Sequence, residues 1–385
     1  MTRSFLRRSP SSFERISLGP SCADSLAAMT LPLTVGQFEA QAAEILSAGS
    51  LGYYAGGAGD EITLVDNVAA WQRIALRPRV MVDVSQRDMR TTVLGRQRAH
   101  PLIVAPTAFH KLATPEGEVA TARAALGAQA TYCLSSLATT DVTTLAQKVP
   151  DANRWLQLYV FKDRGVTAQM VDAAVAGGYE AIVLTVDMPE LGIRERDLHT
   201  GFVIDLETGV PHVSQTGASG LLTMSEVVGL IDPSLTWSDV EALAQQSGLP
   251  ILVKGILEPA DARLAVEHGA AGVVVSNHGG RQLDGVLSGA DALAGVVDEV
   301  GGEIDVIVDG GIRRGSDILK ALAIGAAAVQ VGRPILWGLT VGGEEGARRV
   351  LELLLKEFDN ALALAGVPVA ADLNRDIVMP APWVI

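Results

Sequence analysis

Cysteine, aromatic residues and surplus basic charge are all scarce in this chain of 385 residues. The two cysteines, Cys22 and Cys133, are too few and too far apart for a disulfide framework, and apolar neighbours indicate that Cys133 is an inert buried thiol. The 30 basic residues stand against 44 acidic ones, a formal net charge of −14. Nucleic-acid-binding proteins usually carry a basic surplus, so we expect no nucleic-acid partner.

Long apolar runs and nucleotide-binding fingerprints are also missing from the sequence. No uncharged stretch is long enough to span a bilayer, so we expect no membrane association and a cytoplasmic protein. Neither G-x-G-x-x-G nor G-x-x-x-x-G-K-[ST] occurs, which argues against dinucleotide and nucleoside-triphosphate sites of those types. We also predict no metal site.

The informative feature of the sequence is an alternation of short apolar runs with helix-like segments such as 115–129 and 165–178. Continuous β-branched runs that alternate with helical patterns indicate βα units and a parallel sheet. Eight units in about 255 residues match a (β/α)8 TIM barrel in number and size, with a doubly wound sheet as the competing architecture. The eight runs are PLIVAPTA (101–108), ATYCLSS (130–136), RWLQLYV (154–160), AIVLTVD (181–187), PILVKGI (250–256), GVVVSNH (272–278), DVIVDGG (305–311) and AVQVGRP (328–334).

The connection after the fourth run breaks this rhythm. From Met188 to about Trp237 the sequence shows no clear strand, and loops of this length in compact domains are usually functional, so we predict a lid. We interpret residues 35–101 as a helical cap segment over one end of the barrel. Residues 1–34 are expected to form a disordered leader to a single domain of residues 35–365, and residues 366–385 a C-terminal tail.

Polar side chains end nearly every apolar run. In a barrel, the carboxyl ends of the strands meet at one face, where active sites lie. Capping explains any one of these residues but poorly explains all of them, so we expect the run ends to converge on one site. The residues are Thr107, Ser135, Gln157 with Tyr159, Thr185 with Asp187, Lys254, Ser276 with His278, Asp309 and Arg333.

The last two runs end in the glycine-rich motifs DGGIRRG (309–315) and GRP (332–334). Loops after strands seven and eight are the usual phosphate site of a TIM barrel, and Arg313 and Arg333 would add charge-assisted hydrogen bonds. The alternative is tight turns with surface arginines. The polar groups deeper in the barrel suit a flat heterocycle, and Lys254 would face a ring that gains negative charge on reduction. FMN satisfies both requirements.

A histidine and two arginines complete the predicted site. His278 titrates near neutrality and is suited to accept a proton, while Asp187 would stabilise the imidazolium. Arg281 and Arg194 would clamp a carboxylate, whose geometry guanidinium matches bidentately. A purely structural histidine and a solvated surface position for Arg194 are the competing interpretations.

These residues lie in motifs that resemble those of the FMN-dependent 2-hydroxy acid oxidases, the family of glycolate oxidase, lactate oxidase and mandelate dehydrogenase. The resemblance covers roughly residues 35–365 and suggests a homotetramer. The motifs occur in the family's order and are YYAGGAGDE, RPR, APTA, PEGE, QLYV, TVD, LVKG, SNHGGRQLD, DGGIRRG and GRP.

The resemblance implies a role for each matching residue. His278 would be the active-site base with Asp187 behind it, and Arg281 and Arg194 would hold the substrate carboxylate. Tyr53 and Tyr159 would hydrogen-bond the substrate oxygens, and Lys254 would support reduced flavin. FMN would contact Pro106, Thr107, Ala108, Ser135, Gln157, Thr185, Ser276, Asp309, Gly310, Gly311, Ile312, Arg313, Gly332 and Arg333.

One departure from the family pattern bears on the substrate. Glycolate oxidases carry a tryptophan after the paired serines, where this chain has Leu137. Leucine leaves more room beside the α-substituent, so we predict that an (S)-2-hydroxy acid such as lactate, rather than glycolate, is oxidised to the 2-oxo acid while oxygen becomes hydrogen peroxide. A dehydrogenase with another electron acceptor and a lactate monooxygenase are the alternatives within enzymology. A phosphosugar-processing barrel and a non-catalytic flavin sensor are those outside this class.

Overall fold

The computed structural model describes residues 31–206 and 209–383. Eight parallel strands close into a barrel in chain order, the last pairing with the first. The predicted (β/α)8 barrel is therefore confirmed, and the doubly wound alternative is wrong. The strands are β1 (Leu102–Val104), β2 (Thr131–Leu134), β3 (Arg154–Leu158), β4 (Ile182–Thr185), β5 (Ile251–Ile256), β6 (Gly272–Val275), β7 (Asp305–Val308) and β8 (Ala328–Val331).

A helix follows each barrel strand before the next one begins. In the described residues from 31 onward, the helices Val35–Ile45, Ala48–Ala55 and Ile62–Gln72 precede the barrel. Most of the disordered leader expected at residues 1–34 lies outside the described residues. The helices that follow β1 to β8 are Glu118–Gly127, Val142–Lys148, Arg164–Ala176, Ser238–Ser247, Pro259–Glu267, Gly289–Val300, Gly315–Ile324 and Arg333–Ala365.

The barrel strands alternate their side chains between the barrel interior and the helices outside it, because successive residues of a strand point to opposite faces. Outward residues such as Val273 and Val275 belong to the large core shared with the helices. The inward residues of the lower layer form a separate hydrophobic cluster that fills the barrel near its amino-terminal end. This cluster contains Ile103, Cys133, Trp155, Val183, Leu252, Val274, Ile307 and Ala328. Cys133 is a buried free thiol, and burial raises its pKa.

The segment before the barrel covers both of its ends rather than the one end predicted. Its helices lie at the carboxyl ends of the strands, where Trp71 donates a hydrogen bond to the carbonyl oxygen of Gly310. The hairpin of Thr91–Val93 and Arg96–Arg98 closes the opposite end. There Val93 packs into the inner cluster, and the Leu94 N–H donates to the carboxylate of Asp305 at the start of β7.

The segment between β4 and β5 is more ordered than its sequence suggested. Val203–Asp205 and Leu221–Thr223 pair as an antiparallel hairpin, so the expectation that residues 188–237 lack a strand is wrong. These strands are only three residues long, and their partly exposed side chains give little apolar signal. Outside residues 207 and 208, which the structure does not describe, the segment also contains the short helices Glu195–Thr200, Pro211–Ser214 and Met224–Val228. Its movement as a lid stays a prediction.

The end of the chain returns to the segment that precedes the barrel. Val378–Pro380 pairs in antiparallel fashion with Ile74–Leu76. Two 3₁₀ turns, Ala370–Asp372 and Arg375–Ile377, lead to this strand, and Arg375 pairs with Asp298 at 2.6 Å. Within residues 31–206 and 209–383, no helix combines the length and apolarity that a membrane crossing requires.

The last long helix, Arg333–Ala365, bends sharply at Gly342 and Gly343, and Gly343 adopts a φ of 57°. The two halves of the helix meet at Gly338 and Gly346. A Cβ atom on Gly346 would lie 2.0 Å from the carbonyl oxygen of Gly338, which no side chain can tolerate. Two glycines therefore set the path of the helix that begins with Arg333.

We expect Gly346→Ala to lower the thermal unfolding midpoint, because overpacking a tight contact typically costs about 1–3 kcal/mol. Gly36→Ala is the matched control, since Gly36 lies in the helix Val35–Ile45 with nothing within 4 Å of its added Cβ. Alanine should stabilise that helix by about 0.5–1 kcal/mol. Midpoints that move in the same direction for both variants would contradict the packing argument.

Candidate active site

The interior of the barrel changes from apolar to polar within two residues along nearly every strand. Because inward positions recur at every second residue, the residue two positions after each apolar inward residue also points inward. In the upper layer these positions surround the floor of a cavity of about 1050 Å³, which includes its open mouth. From β1 to β8, the layer consists of Ala105, Ser135, Gln157, Thr185, Lys254, Ser276, Asp309 and Gln330.

All but two of the predicted site residues line this cavity. The exceptions are Asp187, which contacts His278, and Ser276, which contacts Lys254. The structure thus brings the whole predicted set together at the carboxyl ends of the strands. The lining residues are Tyr53, Pro106, Thr107, Ala108, Ser135, Leu137, Gln157, Tyr159, Thr185, Arg194, Lys254, His278, Arg281, Asp309, Gly310, Gly311, Ile312, Arg313, Gly332 and Arg333.

Further lining residues did not enter the predicted set, among them Tyr54, Met188, Met224 and Gln330. The two-residue register of β8 would have identified Gln330, because it stands one inward position beyond Ala328. Met188 directly follows Asp187, but the predicted set was built from polar residues at the ends of the apolar runs, and a methionine there is a weaker indication of a site. Met224 lies in the segment between β4 and β5, whose sequence contains no strand pattern that would predict an inward position.

His278 forms the centre of a hydrogen-bonded group at the cavity wall. Its Nδ1 lies 2.8 Å from Oδ1 of Asp187, and its Nε2 lies 3.3 Å from the hydroxyl of Tyr159. The backbone N–H of His278 donates to the hydroxyl of Ser276. Asp187 therefore orients the imidazole and leaves Nε2 directed at the cavity.

Burial and charge set the protonation of this pair. Burial lowers the pKa of His278 from its usual 6.5, and Asp187 only partly opposes that effect. Burial alone would raise the pKa of Asp187, but His278 and then Lys254 lower it overall. The pair therefore combines an ionised carboxylate with a neutral imidazole near pH 7, which is the form required of a base.

The loop that carries His278 has an unusual backbone path. His278, Gly279 and Gly280 adopt φ values of 60°, 68° and 74°, a left-handed run that only glycine takes without strain. A Cβ atom on Gly280 would lie 2.6 Å from the backbone nitrogen of Leu64. The two glycines let the loop turn closely beneath the helix Ile62–Gln72 and aim the imidazole inward.

The helix Ile62–Gln72 holds the loops after β6 and β7 in place. Asn67 and Asn277 exchange two side-chain hydrogen bonds of 2.9 Å, and Asn277 also accepts from the N–H of Gly280. Asp284, in the loop after β6, caps the start of this helix by accepting hydrogen bonds from the N–H groups of Ile62 and Thr63. These bonds explain why asparagine and aspartate occur in SNHGGRQLD.

A buried glutamate joins the loops after β1 and β2. Glu118 is fully buried and accepts hydrogen bonds from the N–H of His110, from the N–H and hydroxyl of Thr139, and from the hydroxyl of Thr140. Nε2 of His110, a residue outside the predicted set, lies 2.6 Å from the hydroxyl of Thr107. Glu118 and His110 thus position Thr107 and the loop that holds Leu137.

Four guanidinium groups border the cavity, and none forms an ion pair with a carboxylate of the described residues. Arg194 is 5% exposed, and burial followed by the charge of Arg281 lowers its pKa to about 10. Burial and then Arg281 and Arg313 also lower the pKa of Arg333. Buried charges are normally paired, so this cluster is suited to anionic ligands.

Backbone carbonyl groups hold these arginines in place. Arg281 donates through Nη1 to the carbonyl oxygens of Tyr53 and Gly56, and its guanidinium lies 4.7 Å from the ring centre of Tyr53. Arg333 donates to three carbonyl oxygens, including that of Gly279. Arg194 donates to the carbonyl oxygen of Arg281. The carbonyl bonds fix the guanidinium planes and leave further N–H groups for a ligand.

The residues at the cavity floor fit FMN. Lys254 donates to Ser276 at 2.9 Å and lies 3.3 Å from a carboxylate oxygen of Asp309, while the other oxygen of Asp309 has no partner among the described residues. Burial lowers the pKa of Lys254, but Asp309 and Asp187 raise it overall, so the ammonium is retained. The ammonium of Lys254, within the polar layer, suits a flavin ring that gains negative charge on reduction. The guanidinium groups of Arg313 and Arg333 suit the phosphate of FMN.

One part of the predicted phosphate site is already occupied by protein. The N–H groups of Arg313 and Arg314 both donate to the carboxylate of Asp317 at the start of the helix Gly315–Ile324. A phosphate would therefore depend on the guanidinium groups and on the glycine backbone. Gly310 and Gly311 adopt φ values of 91° and 77°, and a Cβ atom on Gly311 would lie 1.8 Å from the carbonyl oxygen of Asn67, so these glycines let the loop pack closely against the helix Ile62–Gln72.

Comparison with known proteins agrees with this site. The family described as FMN-dependent dehydrogenase matches residues 42–380. The chain is 47% identical to an L-lactate oxidase from Nostoc sp. over 92% of this chain and 100% of that protein. It is 46% identical to a glycolate oxidase from Spinacia oleracea over 91% of this chain and 96% of that protein. A solved mandelate oxidase is 39% identical and superimposes with a TM-score of 0.81 over 89% and 97% of the two chains.

The chain belongs to the FMN-dependent 2-hydroxy acid oxidase family, and FMN is its cofactor.

Asp187→Asn tests the electrostatic coupling within the histidine pair. Removing the carboxylate removes the charge that opposes the lowered pKa of His278, so the acidic limb of the kcat/KM profile should move to lower pH. The plateau should fall by about 10²-fold or more, because the imidazolium loses its partner. Steady-state kinetics from pH 4.5 to 8 measure both effects.

Asp151→Asn, on an exposed loop before β3, is the matched control and should leave the profile unchanged. An unchanged acidic limb in Asp187→Asn would show that Asp187 does not act on the imidazole.

Proposed function

We propose that this protein oxidises an (S)-2-hydroxy acid to the 2-oxo acid, prefers lactate-like substrates to glycolate, and passes the electrons to oxygen to give hydrogen peroxide. The observation that carries the proposal is the imidazole of His278 with a carboxylate behind it, placed in the same cavity as the guanidinium groups of Arg194 and Arg281. FMN, when bound, supplies the two-electron chemistry.

His278 is proposed as the base. Its Nε2 faces the cavity and would take the proton that leaves the substrate, and the imidazolium would then lie 2.8 Å from the carboxylate of Asp187. Tyr159, whose hydroxyl is 3.3 Å from the same nitrogen, would hydrogen-bond a substrate oxygen. Burial raises the pKa of Tyr159, so its hydroxyl stays a donor at neutral pH.

Arg194 and Arg281 are proposed to hold the substrate carboxylate. A carboxylate would supply the negative charge that buried Arg194 and partly buried Arg281 lack among the described residues. Charge-assisted hydrogen bonds of this kind contribute about 1.5–3 kcal/mol each. The stacked contact of Arg281 with Tyr53 would keep the guanidinium plane in position during binding.

An apolar part of the cavity supports the proposed preference for larger substrates. Leu137, Met188 and Met224 all line it and are 3%, 5% and 5% exposed. Methionine side chains are flexible and adapt to ligands of different shape. A 2-hydroxy acid with an alkyl side chain would cover this surface, whereas glycolate has no group to place there.

Leu137→Trp tests this preference. The larger side chain should fill the space beside the α-substituent and lower kcat/KM for lactate relative to glycolate by about tenfold or more, since one methyl group discriminates by roughly 10–200-fold. Leu137→Met conserves the volume and should leave the ratio near that of the parent protein. A ratio that does not change in Leu137→Trp would remove Leu137 from the specificity determinants.

The reaction itself is tested by anaerobic addition of lactate to the purified flavoprotein. The visible flavin absorbance should bleach, and admitting air should restore it with one equivalent of hydrogen peroxide per pyruvate. His278→Ala should retain FMN but bleach at least 10²-fold more slowly. Bleaching without peroxide would favour a dehydrogenase, acetate as product would favour a monooxygenase, and no bleaching with any 2-hydroxy acid would exclude the proposed activity.

A homotetramer is also proposed. Val80 and Met81 are 84% and 101% exposed, and contact between subunits would cover such apolar surface. Light scattering coupled to gel filtration measures the mass directly. The cytoplasmic location stays a prediction from the sequence.

A further inference from the structure

Gln330 stands out among the residues of the polar layer. It is 1% exposed, lines the cavity floor, and has neither an acceptor for its Nε2 nor a donor for its Oε1 among the described residues. Buried side-chain amides are nearly always hydrogen-bonded, because an unmet donor or acceptor loses its bond with water. Two unmet atoms on one side chain that faces a cavity point to a ligand in that cavity.

Gln157 provides the internal comparison. It occupies the same layer on β3 and is buried to a similar degree. Its Oε1 accepts from the hydroxyl of Ser135 and the N–H of Ser136, and its Nε2 donates to the hydroxyl of Thr185. Protein groups thus satisfy one glutamine of the layer, while the other is left for something that the protein chain does not supply.

The strand register places Gln330 at the phosphate side of the floor. Gln330 lies on β8, two residues before Gly332. Its register partner on β1 is Ile103, and the register of β7 continues to Asp309 beside it. Asp309 carries an unmet carboxylate oxygen of its own, and the apolar side chain of Ile103 offers no partner. The adjacent strands β7 and β8 therefore present one donor group, Nε2 of Gln330, and two acceptors, Oε1 of Gln330 and Oδ1 of Asp309, that have no partner among the described residues.

We propose that Gln330 binds the ribityl chain of FMN. The chain joins the ring, which the groups on β2 to β5 would hold, to the phosphate, which the loops after β7 and β8 would hold. Its hydroxyl groups both donate and accept, as Nε2 and Oε1 of Gln330 and the free oxygen of Asp309 require. Phosphate lacks donors at neutral pH, and the ring offers no series of hydroxyls, so neither alternative matches this set as well.

The test is flavin binding by the apoprotein of Gln330→Met, which keeps the length of the side chain and removes both polar atoms. Three probes separate the parts of the cofactor: FMN, riboflavin, which lacks the phosphate, and lumiflavin, which lacks the ribityl chain. Quenching of flavin fluorescence gives each Kd. We expect Kd to rise about tenfold for FMN and for riboflavin and to change less than twofold for lumiflavin.

The stability of the apoprotein supplies a second readout. Because methionine removes two unmet polar atoms, the thermal midpoint of apo Gln330→Met should equal or exceed that of the parent, although the variant binds FMN more weakly. Gln245→Met, at an exposed position of the helix Ser238–Ser247, is the matched control and should alter neither quantity. Gln330→Leu repeats the measurement if the methionine variant does not fold.

An unchanged Kd for FMN would overturn the proposal and assign both amide atoms to ordered water. An equal loss for lumiflavin would overturn it in favour of a contact with the ring. Both readouts concern binding alone, so they remain distinct from a failure of the proposed oxidase activity.

Discussion

The site depends on one constraint of strand geometry, the inward direction of every second side chain. In the lower part of the barrel these positions are apolar and pack without polar groups, as Trp155 and Val274 do. One step higher they become Gln157 and Ser276, and the barrel opens into a polar floor. Because the apolar lower layer is tightly packed, rigid strands rather than loops hold the polar groups that face a ligand.

The excess of positive charge above this floor is the second determinant. Arg194, Arg281 and Arg333 are held by carbonyl oxygens, which fix their directions without neutralising them. Positive charge so placed favours anions. Burial first, and then the charges of Lys254 and Arg194, lower the pKa of His278 against the opposing effect of Asp187. The buried, positively charged surroundings thus favour both an anionic ligand and a neutral imidazole.

The sequence predicted the barrel and nearly all of the cavity lining, because both follow from local patterns. Apolar runs locate the strands, and the barrel rule then brings their polar ends together. The sequence did not predict that the hairpin Thr91–Arg98 closes the amino-terminal end of the barrel. Its short strands show no strong alternation of apolar and polar residues, and its hydrogen-bond partner Asp305 is over 200 residues away. Gln330 was missed for another reason, because a glutamine within AVQVGRP reads as one polar residue in an apolar strand unless the inward register is counted. The paired hydrogen bonds between Asn67 and Asn277 join residues that are far apart in the sequence, so no local pattern predicts them.

The hairpin that fills the amino-terminal end of the barrel also determines how molecules reach the flavin site. In the part of the chain that the structure describes, the inner cluster fills the amino-terminal end of the barrel, so the cavity opens toward the carboxyl ends of the strands. Met188, Arg194 and Met224 of the segment between β4 and β5 line the cavity on that face. Ligands therefore enter and leave on the face to which this segment belongs, opposite the hairpin.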